Sequence, residues 1–367
     1  MQIQEHRLIG SPSGTQRTLT TLHFGAGARR AYLQASLHAD EVPAMLVAQH
    51  LRRRLAELEA QGRLRGEIVL APACNPLGLS QQLFGRHQGR FEHDSGHNFN
   101  RHYPDLVAQA IARVQLGDNA AQNTETLRQA MLQALAEHPV QTELQHLRKI
   151  LLGHALAAEV VLDLHCDNEG VMHLYSVPEQ AQCVRQLGAC LQAEVALLAN
   201  ESGDSPFDEA CSGPWLRLQQ HYQGRHPVNL GCFAATVEHR GVCDVRHDLA
   251  AQDAEGLLRF LGLQGFISGM DAPSAHDCAL VPLAGSLPVT APHAGVVVFT
   301  RPLGGPVRQG EVLAELIDPV SGHCSELRAP VDGIYYRREQ QRWVQAGATV
   351  VQVAGREALR SGKLLSA

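Results

Sequence analysis

Clusters of positive charge are missing from this sequence of 367 residues. Lysine is close to absent, with Lys149 and Lys363 as its only instances, and the arginines are scattered along the chain. Neither a nucleic-acid groove nor an anionic membrane surface has an electrostatic footprint here, and the formal net charge of -6 agrees with that. No nucleic-acid or membrane partner is expected, and small-molecule partners are. Paired cysteines are missing as well: there are nine cysteines, an odd number, with no CxxC spacing among them. The N-terminus lacks the basic-then-apolar pattern of a signal peptide, so the expectation is reduced thiols in a cytoplasmic protein. Long apolar runs are also lacking. One of the longest, 155–164, is interrupted by Glu159 and Asp163 and falls short of a membrane span.

The chain is long enough for a large core and more than one domain. Up to about Gly27, polar and apolar residues alternate around Ser11-Pro12-Ser13-Gly14, which predicts a hairpin at a sheet edge. An apolar run, 31–35, is followed by an amphipathic helix from Pro43 to Ala60 and a short strand from Gly66 to Pro72. Strand, helix, strand at this spacing argues for an α/β fold with a mixed, largely parallel sheet and flanking helices, whose binding crevice lies at the carboxyl ends of the strands. The segment 75–104 is polar and without periodicity, as functional loops of this length are. Two or three helices are expected in 105–158, strands at 160–165 and 171–176, a helix over 178–198, and a loop over 201–212. A strand over 232–239 and a helix over 250–263 complete a first domain, 1–270. Prolines and glycines between 270 and 288 mark a linker, and 271–367 reads as linker and C-terminal β-rich domain.

Chemistry concentrates at strand ends. His38 and Glu41 lie in Ser36-Leu37-His38-Ala39-Asp40-Glu41, between the apolar run and the helix. A strand that ends in His-x-x-Glu as the chain turns into a helix aims an imidazole nitrogen and a carboxylate at one cation. His165, in Val160-Val161-Leu162-Asp163-Leu164-His165, is the candidate third ligand, also at a strand end. These motifs, the Asn98-Phe99-Asn100-Arg101 run and Thr236-Val237-Glu238 occur in the order seen in zinc carboxypeptidase-like deacylases. Over nearly its whole length the chain resembles the succinylglutamate desuccinylase and aspartoacylase family, especially longer bacterial members with a β-rich C-terminal domain. Ala39 departs from the glycine usual there, with the ligand positions intact.

The resemblance implies one Zn2+ per chain on His38, Glu41 and His165, a set that leaves a coordination position for water. It implies Glu238 as general base, taking a proton from that water and returning it to the departing amine. Arg90 is the candidate cation for the developing oxyanion. Asn100 and Arg101 would grip a substrate carboxylate, since a guanidinium fork and an amide donor match its two oxygens. Structural readings stand beside these: a hydrogen-bonded strand-end histidine for His165, an ion pair with Arg240 for Glu238, loop ordering for Arg101. Asp163 reads as structural or as orienting a zinc histidine. Phe207-Asp208-Glu209 reads as an ordinary solvated acidic loop. A second amino group on the substrate, met by Asp204, Asp208 and Glu209, is the alternative for those acids.

Near the C-terminus, 291–297 echoes 329–335 and 307–310 echoes 344–347, which predicts a pseudo-symmetric β-sandwich resembling a lipoyl- or biotinyl-type barrel. Such carriers need a lysine at a hairpin tip, and the corresponding turn, 320–325, has none. A packing, homo-oligomer-forming or pocket-covering role is preferred. The reading of the whole is a zinc-dependent amidohydrolase acting on a small N-acyl amino acid or acylated diamino acid. Its rivals are a carboxypeptidase acting on peptide C-termini, which predicts an open cleft where the deacylase predicts a small enclosed pocket, and a non-catalytic ligand-binding or scaffold protein.

Overall fold

The computed structural model describes residues 1–10 and 13–365. The alternating N-terminal segment forms β1 (Gln2–Arg7) and β2 (Thr18–Phe24), an antiparallel pair at the sheet edge. Ser11 and Pro12 of the expected turn lie outside the described residues. Next come β3 (Arg30–Ala35), α1 (Pro43–Ala60), β4 (Glu67–Ala71), a short α2 (Pro76–Leu79) and a small ribbon of β5 (Gln82–Leu83) with β6 (Arg86–His87). Three helices follow, α3 (Val107–Ile111), α4 (Ala120–Glu137) and α5 (Glu143–Leu156), then β7 (Val160–Asp167), β8 (Glu169–Gly170) and β9 (Met172–Ser176). The unit continues through α6 (Ala181–Leu191), β10 (Val195–Leu198), α7 (Phe207–Tyr222), β11 (Phe233–Gly241), α8 (His247–Leu263) and β12 (Ala279–Pro282).

These strands build a nine-stranded sheet in the order β1-β2-β4-β3-β7-β11-β9-β10-β12. Its centre is parallel where β4, β3, β7 and β11 adjoin, and β9 enters antiparallel to β11. The central strands are buried on both faces, which is why they read as continuous apolar runs and not as alternation. Successive side chains leave opposite faces. Leu33 and Leu162 therefore join Leu51, Leu187 and Leu257 beneath α1, α6 and α8, while Tyr32 and Val161 join Met131, Leu147 and Trp215 beneath α4, α5 and α7. Among the described residues no helix is long and apolar enough to cross a membrane.

Two expectations are corrected. The helix expected over 178–198 ends at Leu191, where Gln192 takes a left-handed conformation (φ 56°), and the β-favouring Val195–Leu198 pairs in parallel with β9 instead. The loop expected over 201–212 stops at Pro206, and α7 begins at Phe207, its first amide donating to Asn100 Oδ1 at 2.8 Å. Between 271 and 287, β12 extends the large sheet by pairing with β10.

The C-terminal strands are β13 (Ser286–Thr290), β14 (Gly295–Phe299), β15 (Pro306–Val307), β16 (Val312–Ile317), β17 (Cys324–Arg328), β18 (Gly333–Arg338), β19 (Trp343–Val344) and β20 (Thr349–Gly355). They form two antiparallel sheets around Leu313, Leu316, Leu327, Tyr335 and Val351, one ordered β13-β20-β18-β15 and the other β17-β16-β14-β19. β18 also pairs with β8, Arg337 opposite Gly170 and Arg338 opposite Glu169. The chain that leaves the His165 strand at Asp167 thus passes directly, through β8, into the contact with this second unit.

Arg128 on α4 ties together the segments that start β7 and β11. Its guanidinium, buried beside the Trp215 ring, donates to the carbonyls of Leu156 (2.6 Å), Ala158 (3.0 Å) and Gly231 (2.6 Å). Arg128→Met keeps the stem but strands those carbonyls, and is expected to cost about 3–5 kcal/mol in urea unfolding. A loss below about 1 kcal/mol would show that the clip contributes little.

Candidate active site

The turn after β3 is held from several sides. Ser36 adopts a positive φ of 60°, which costs a non-glycine residue energy. Its amide donates to Leu164 O (3.2 Å) and its hydroxyl to Glu41 O (2.9 Å), so the strain is fixed by β7 and by the turn itself. Asn75, which caps the start of α2, donates through Nδ2 to Leu37 O at 2.7 Å. The polar loop then folds back over the turn. Ala39 N donates to Gly89 O (2.9 Å), and a Cβ at Gly89 would come within 2.0 Å of Asp40 N, so only glycine permits this approach. Gly78 makes room for the methyl of Ala39 in the same way: a Cβ there would lie 2.8 Å from Ala39 Cβ.

His38, Glu41 and His165 are all buried, and one ligand atom from each lies within 4.8 Å of the others. Glu41 stands between the imidazoles, with Oε1 2.8 Å from His38 Nδ1 and Oε2 2.7 Å from His165 Nδ1. The opposite ring nitrogens also face acceptors: His38 Nε2 lies 2.8 Å from Asn98 Oδ1, and His165 Nε2 lies 2.9 Å from Asp163 Oδ2. Asn98 Oδ1 is an acceptor because Asn100 N donates to it at 2.8 Å. Each Nε2 therefore donates its proton outward, which turns the Nδ1 lone pair of a neutral ring toward the carboxylate. Lone pair against lone pair at these distances is relieved by a metal ion, or by a proton, between them. The residues present thus fit a metal ion with two imidazole nitrogens and one carboxylate.

Opposite charges are drawn together within the group. Burial opposes charge on every member, yet His165 and His38 together hold the Glu41 carboxyl well below its usual range. Burial would push the His165 imidazolium down, but Asp163 and Glu41 outweigh it and raise its pKa well above the usual value. Burial and Arg90 instead lower that of His38. Asp163 is held by Gln34 Nε2, which donates to its Oδ1 at 2.9 Å, and Gln34 Oε1 accepts from Tyr32 OH at 3.0 Å. Glu41 Oε2 also accepts from Cys166 N at 3.1 Å.

A cavity of about 430 Å³ opens on this group, and all seven residues expected at the site line it: His38, Glu41, His165, Glu238, Arg90, Asn100 and Arg101. Glu238 lies opposite His165 in the β11–β7 register. Its Oε2 is buried without a hydrogen-bond partner among the described residues. Burial first, then Glu41, pushes its carboxyl up to about 8. The alternative ion pair with Arg240 does not form, because Arg240 makes a bidentate pair with Asp253 at 2.8 and 2.9 Å. Arg90 Nη1 lies 3.2 Å from both Glu41 Oε1 and His38 Nδ1. Arg101 Nη1 donates to Asn100 O at 2.7 Å.

The acidic segment is not solvated as expected. Phe207 and Asp208 are buried in the first turn of α7, and Asp208 and Glu209 line the cavity, while exposed Asp204 pairs with Lys363. Their position follows from the contact of Asn100 with the start of α7, a long-range contact with no local signal in the sequence. The second unit closes the same cavity with Leu283, Arg337, Glu339, Ala348, Thr349 and Leu365. Arg337 Nε lies 3.1 Å from Asp167 Oδ2, and Asn168 Nδ2 donates to Glu339 Oε2 at 3.2 Å. Of the roles expected for the C-terminal strands, covering the pocket is the one these contacts describe. A larger surface groove, about 1020 Å³, adjoins through Glu209 but includes none of the metal-binding residues.

The sequence pattern of the succinylglutamate desuccinylase/aspartoacylase catalytic domain matches residues 27–263. The chain is 24% identical over 335 residues to an N-alpha-acetyl-L-2,4-diaminobutyric acid deacetylase from Halomonas elongata, covering 88% of this chain and 81% of that protein. The crystal structure of a succinylglutamate desuccinylase/aspartoacylase family protein from Shewanella amazonensis superposes with a TM-score of 0.85 at 25% identity, over 96% of this chain and 98% of that one. A product-bound ectoine utilization protein from Ruegeria pomeroyi shares the fold with a TM-score of 0.68 at 16% identity, over 96% of this chain and 94% of its own.

The contact of Asp163 with His165 generates a measurable expectation. Asp163→Asn is expected to weaken metal binding about 10–100-fold, read by chelator competition, while the protein stays folded. Unchanged affinity would show that Asp163 does not set the orientation of His165.

Proposed function

The chain belongs to the succinylglutamate desuccinylase/aspartoacylase family, and from that premise we propose that it is a zinc-dependent deacylase that hydrolyses the amide of a small N-acyl amino acid, with acylated diamino acids as its substrate class. The observation that carries the reading is Glu238: a buried carboxyl with an unpartnered oxygen, beside His165, in the cavity onto which the metal-binding residues open. Zinc held by His38, Glu41 and His165 would polarise the acyl carbonyl and lower the pKa of the attacking water.

The chain's own groups do the rest. Glu238 takes the proton of the attacking water and hands it to the amide nitrogen as the C–N bond breaks, so the amine leaves neutral and the acyl group leaves as a carboxylic acid. Burial raises this carboxyl, which makes it a stronger base than an exposed glutamate. Arg90, beside Glu41 and His38, meets negative charge developing on the carbonyl oxygen. Arg101 and the free amide nitrogen of Asn100 grip the substrate carboxylate. Residues of the second unit that line part of the cavity wall support a small substrate over a peptide C-terminus.

The second amine is argued from Asp208 and Glu209. Burial first, then Asp163, pushes Asp208 up to about 6, and burial with Asp208 pushes Glu209 up to about 7. An ammonium group arriving between them relieves both the burial and the mutual repulsion. The diaminobutyric acid deacetylase of Halomonas elongata, similar over most of this chain, supports that class.

Two measurements test the proposal. Glu238→Gln is expected to lower amine release from N-acyl amino acids by about 10²–10⁴-fold with zinc still bound. Full turnover in that variant removes Glu238 as the base, and loss of C-terminal residues from peptides with no cleavage of N-acyl amino acids makes the protein a carboxypeptidase. Asp208→Asn is expected to reduce the preference for N-acyl diamino acids over neutral N-acyl amino acids about 10–100-fold in kcat/KM, the worth of one charge-assisted hydrogen bond. Unchanged discrimination would sink the ammonium subsite and leave the deacylase standing.

A further inference from the structure

The chain that follows β20 returns to the large sheet and crosses the loop that precedes α7. Leu359 N and Arg360 N donate to Ala284 O, both at 3.0 Å, and the Arg360 guanidinium donates to Ser286 O at 3.0 Å and to Leu364 O at 2.8 Å. The segment so folded brings Leu364 N and Leu365 N to Ser202 O, at 2.9 and 3.3 Å. Lys363 lies over Gly203, where a Cβ would come within 2.8 Å of its Cγ, and its ammonium pairs with Asp204.

The loop beneath it is a partition. Ser202 and Pro206 line the catalytic cavity, whereas Glu201, Gly203, Asp204 and Ser205 line the surface groove of about 1020 Å³, and Glu209 lines both. The partition is strained: Gly203, Asp204 and Ser205 have φ values of 116°, 60° and 49°, and two of the three are not glycine. Such a run persists only where its surroundings fix it. Here the segment after β20 grips Ser202 and Asp204, and His102 N donates to Asp204 O at 2.8 Å. Ser202 N in turn donates to Glu209 Oε1 at 2.7 Å. One residue, Ser202, therefore connects that segment to Glu209.

We propose that residues 359–365 form a strap that sets how long an amine-bearing arm the cavity accepts, an inference that rests on the ammonium subsite assigned above to Asp208 and Glu209. With the loop pinned, Glu209 keeps its place and a short arm ends between the two acids. A longer arm must carry its ammonium past Glu209 toward the groove, against the wall that Ser202 and Leu365 give the cavity. Lys363 is on this account a positioning residue: it touches the loop and not the substrate.

The test compares kcat/KM of the full, zinc-loaded chain on Nα-acetyl diaminobutyrate and Nα-acetyl lysine, whose side chains differ by two methylenes, with a neutral N-acetyl amino acid as reference. The wild type is expected to prefer the shorter arm by about 10-fold or more. Leu365→Ala, which thins the wall, is expected to reduce that preference by about 10-fold. Lys363→Glu sets two acids against each other and is expected to reduce it by about 2–5-fold through KM, with kcat on the neutral substrate unchanged. Adding Asp204→Lys to Lys363→Glu re-forms the pair with its signs exchanged and is expected to restore the preference, which repair of a general folding defect would not do. A loss that this swap fails to restore overturns Lys363 as the positioning residue. Equal rates on the two arms in the wild type, or a preference unchanged in Leu365→Ala, overturn the strap and leave the deacylase standing. No cleavage of any N-acyl amino acid overturns both.

Discussion

The constraint on which the rest of the site depends is the Glu41 carboxylate caught between two imidazoles whose outer nitrogens already donate to Asn98 and Asp163. A buried carboxylate facing two lone pairs is a costly arrangement unless a cation completes it. Everything near it serves to keep that arrangement from relaxing. Ser36 bends the chain at a strained φ, Gly89 brings the polar loop onto the turn, Cys166 N donates to the second oxygen, and Arg148 Nη2 holds the loop by donating to Asn98 O at 2.8 Å. The large sheet supplies the rigidity. β3 and β7 are neighbours in register, so the residues that follow Ala35 and Leu164 emerge side by side.

The second unit changes what the catalytic sheet can accept. Without it, the carboxyl ends of β7 and β11 would open on a broad crevice. β8 pairs with β18 and places Arg337 beside Asp167, two residues beyond His165 on the same strand. The wall of the pocket is therefore joined by backbone hydrogen bonds to β8, which follows directly on the strand that carries His165. Such a joint positions a wall to within the tolerance of a strand ladder, which a flexible linker between two domains does not do.

The sequence was informative wherever function sits at the end of a regular element. His38, His165 and Glu238 follow or end apolar strands, and the order of the motifs identified the family before any contact was known. The helix over Pro43–Ala60 was legible because its buried residues recur at three- and four-residue spacing. Legibility failed where long-range contacts outweighed local composition. Val195–Leu198 lies against β9 and becomes a strand; Asp208 and Glu209 look solvated until Asn100 anchors the start of α7. Arg337 gave no signal at all, because its significance comes from a pairing with Gly170 across more than 160 residues of chain.

Charge in the cavity bears on what must enter it. Its lining carries seven carboxylates, Asp40, Glu41, Asp167, Asp208, Glu209, Glu238 and Glu339, against three guanidiniums, Arg90, Arg101 and Arg337. In a partly enclosed space that excess is expensive, because charges removed from water repel more strongly. A divalent ion at the His38–Glu41–His165 group would relieve part of it. A neutral N-acyl amino acid would then add its own carboxylate to a pocket still short of positive charge. On the proposed function, a substrate with a second, free amine would bring an ammonium with that carboxylate, and the proposed places for the two are separate: Arg101 for the anion, Asp208 and Glu209 for the cation. On that reading the excess of acids in the cavity is matched by the substrate's own ammonium.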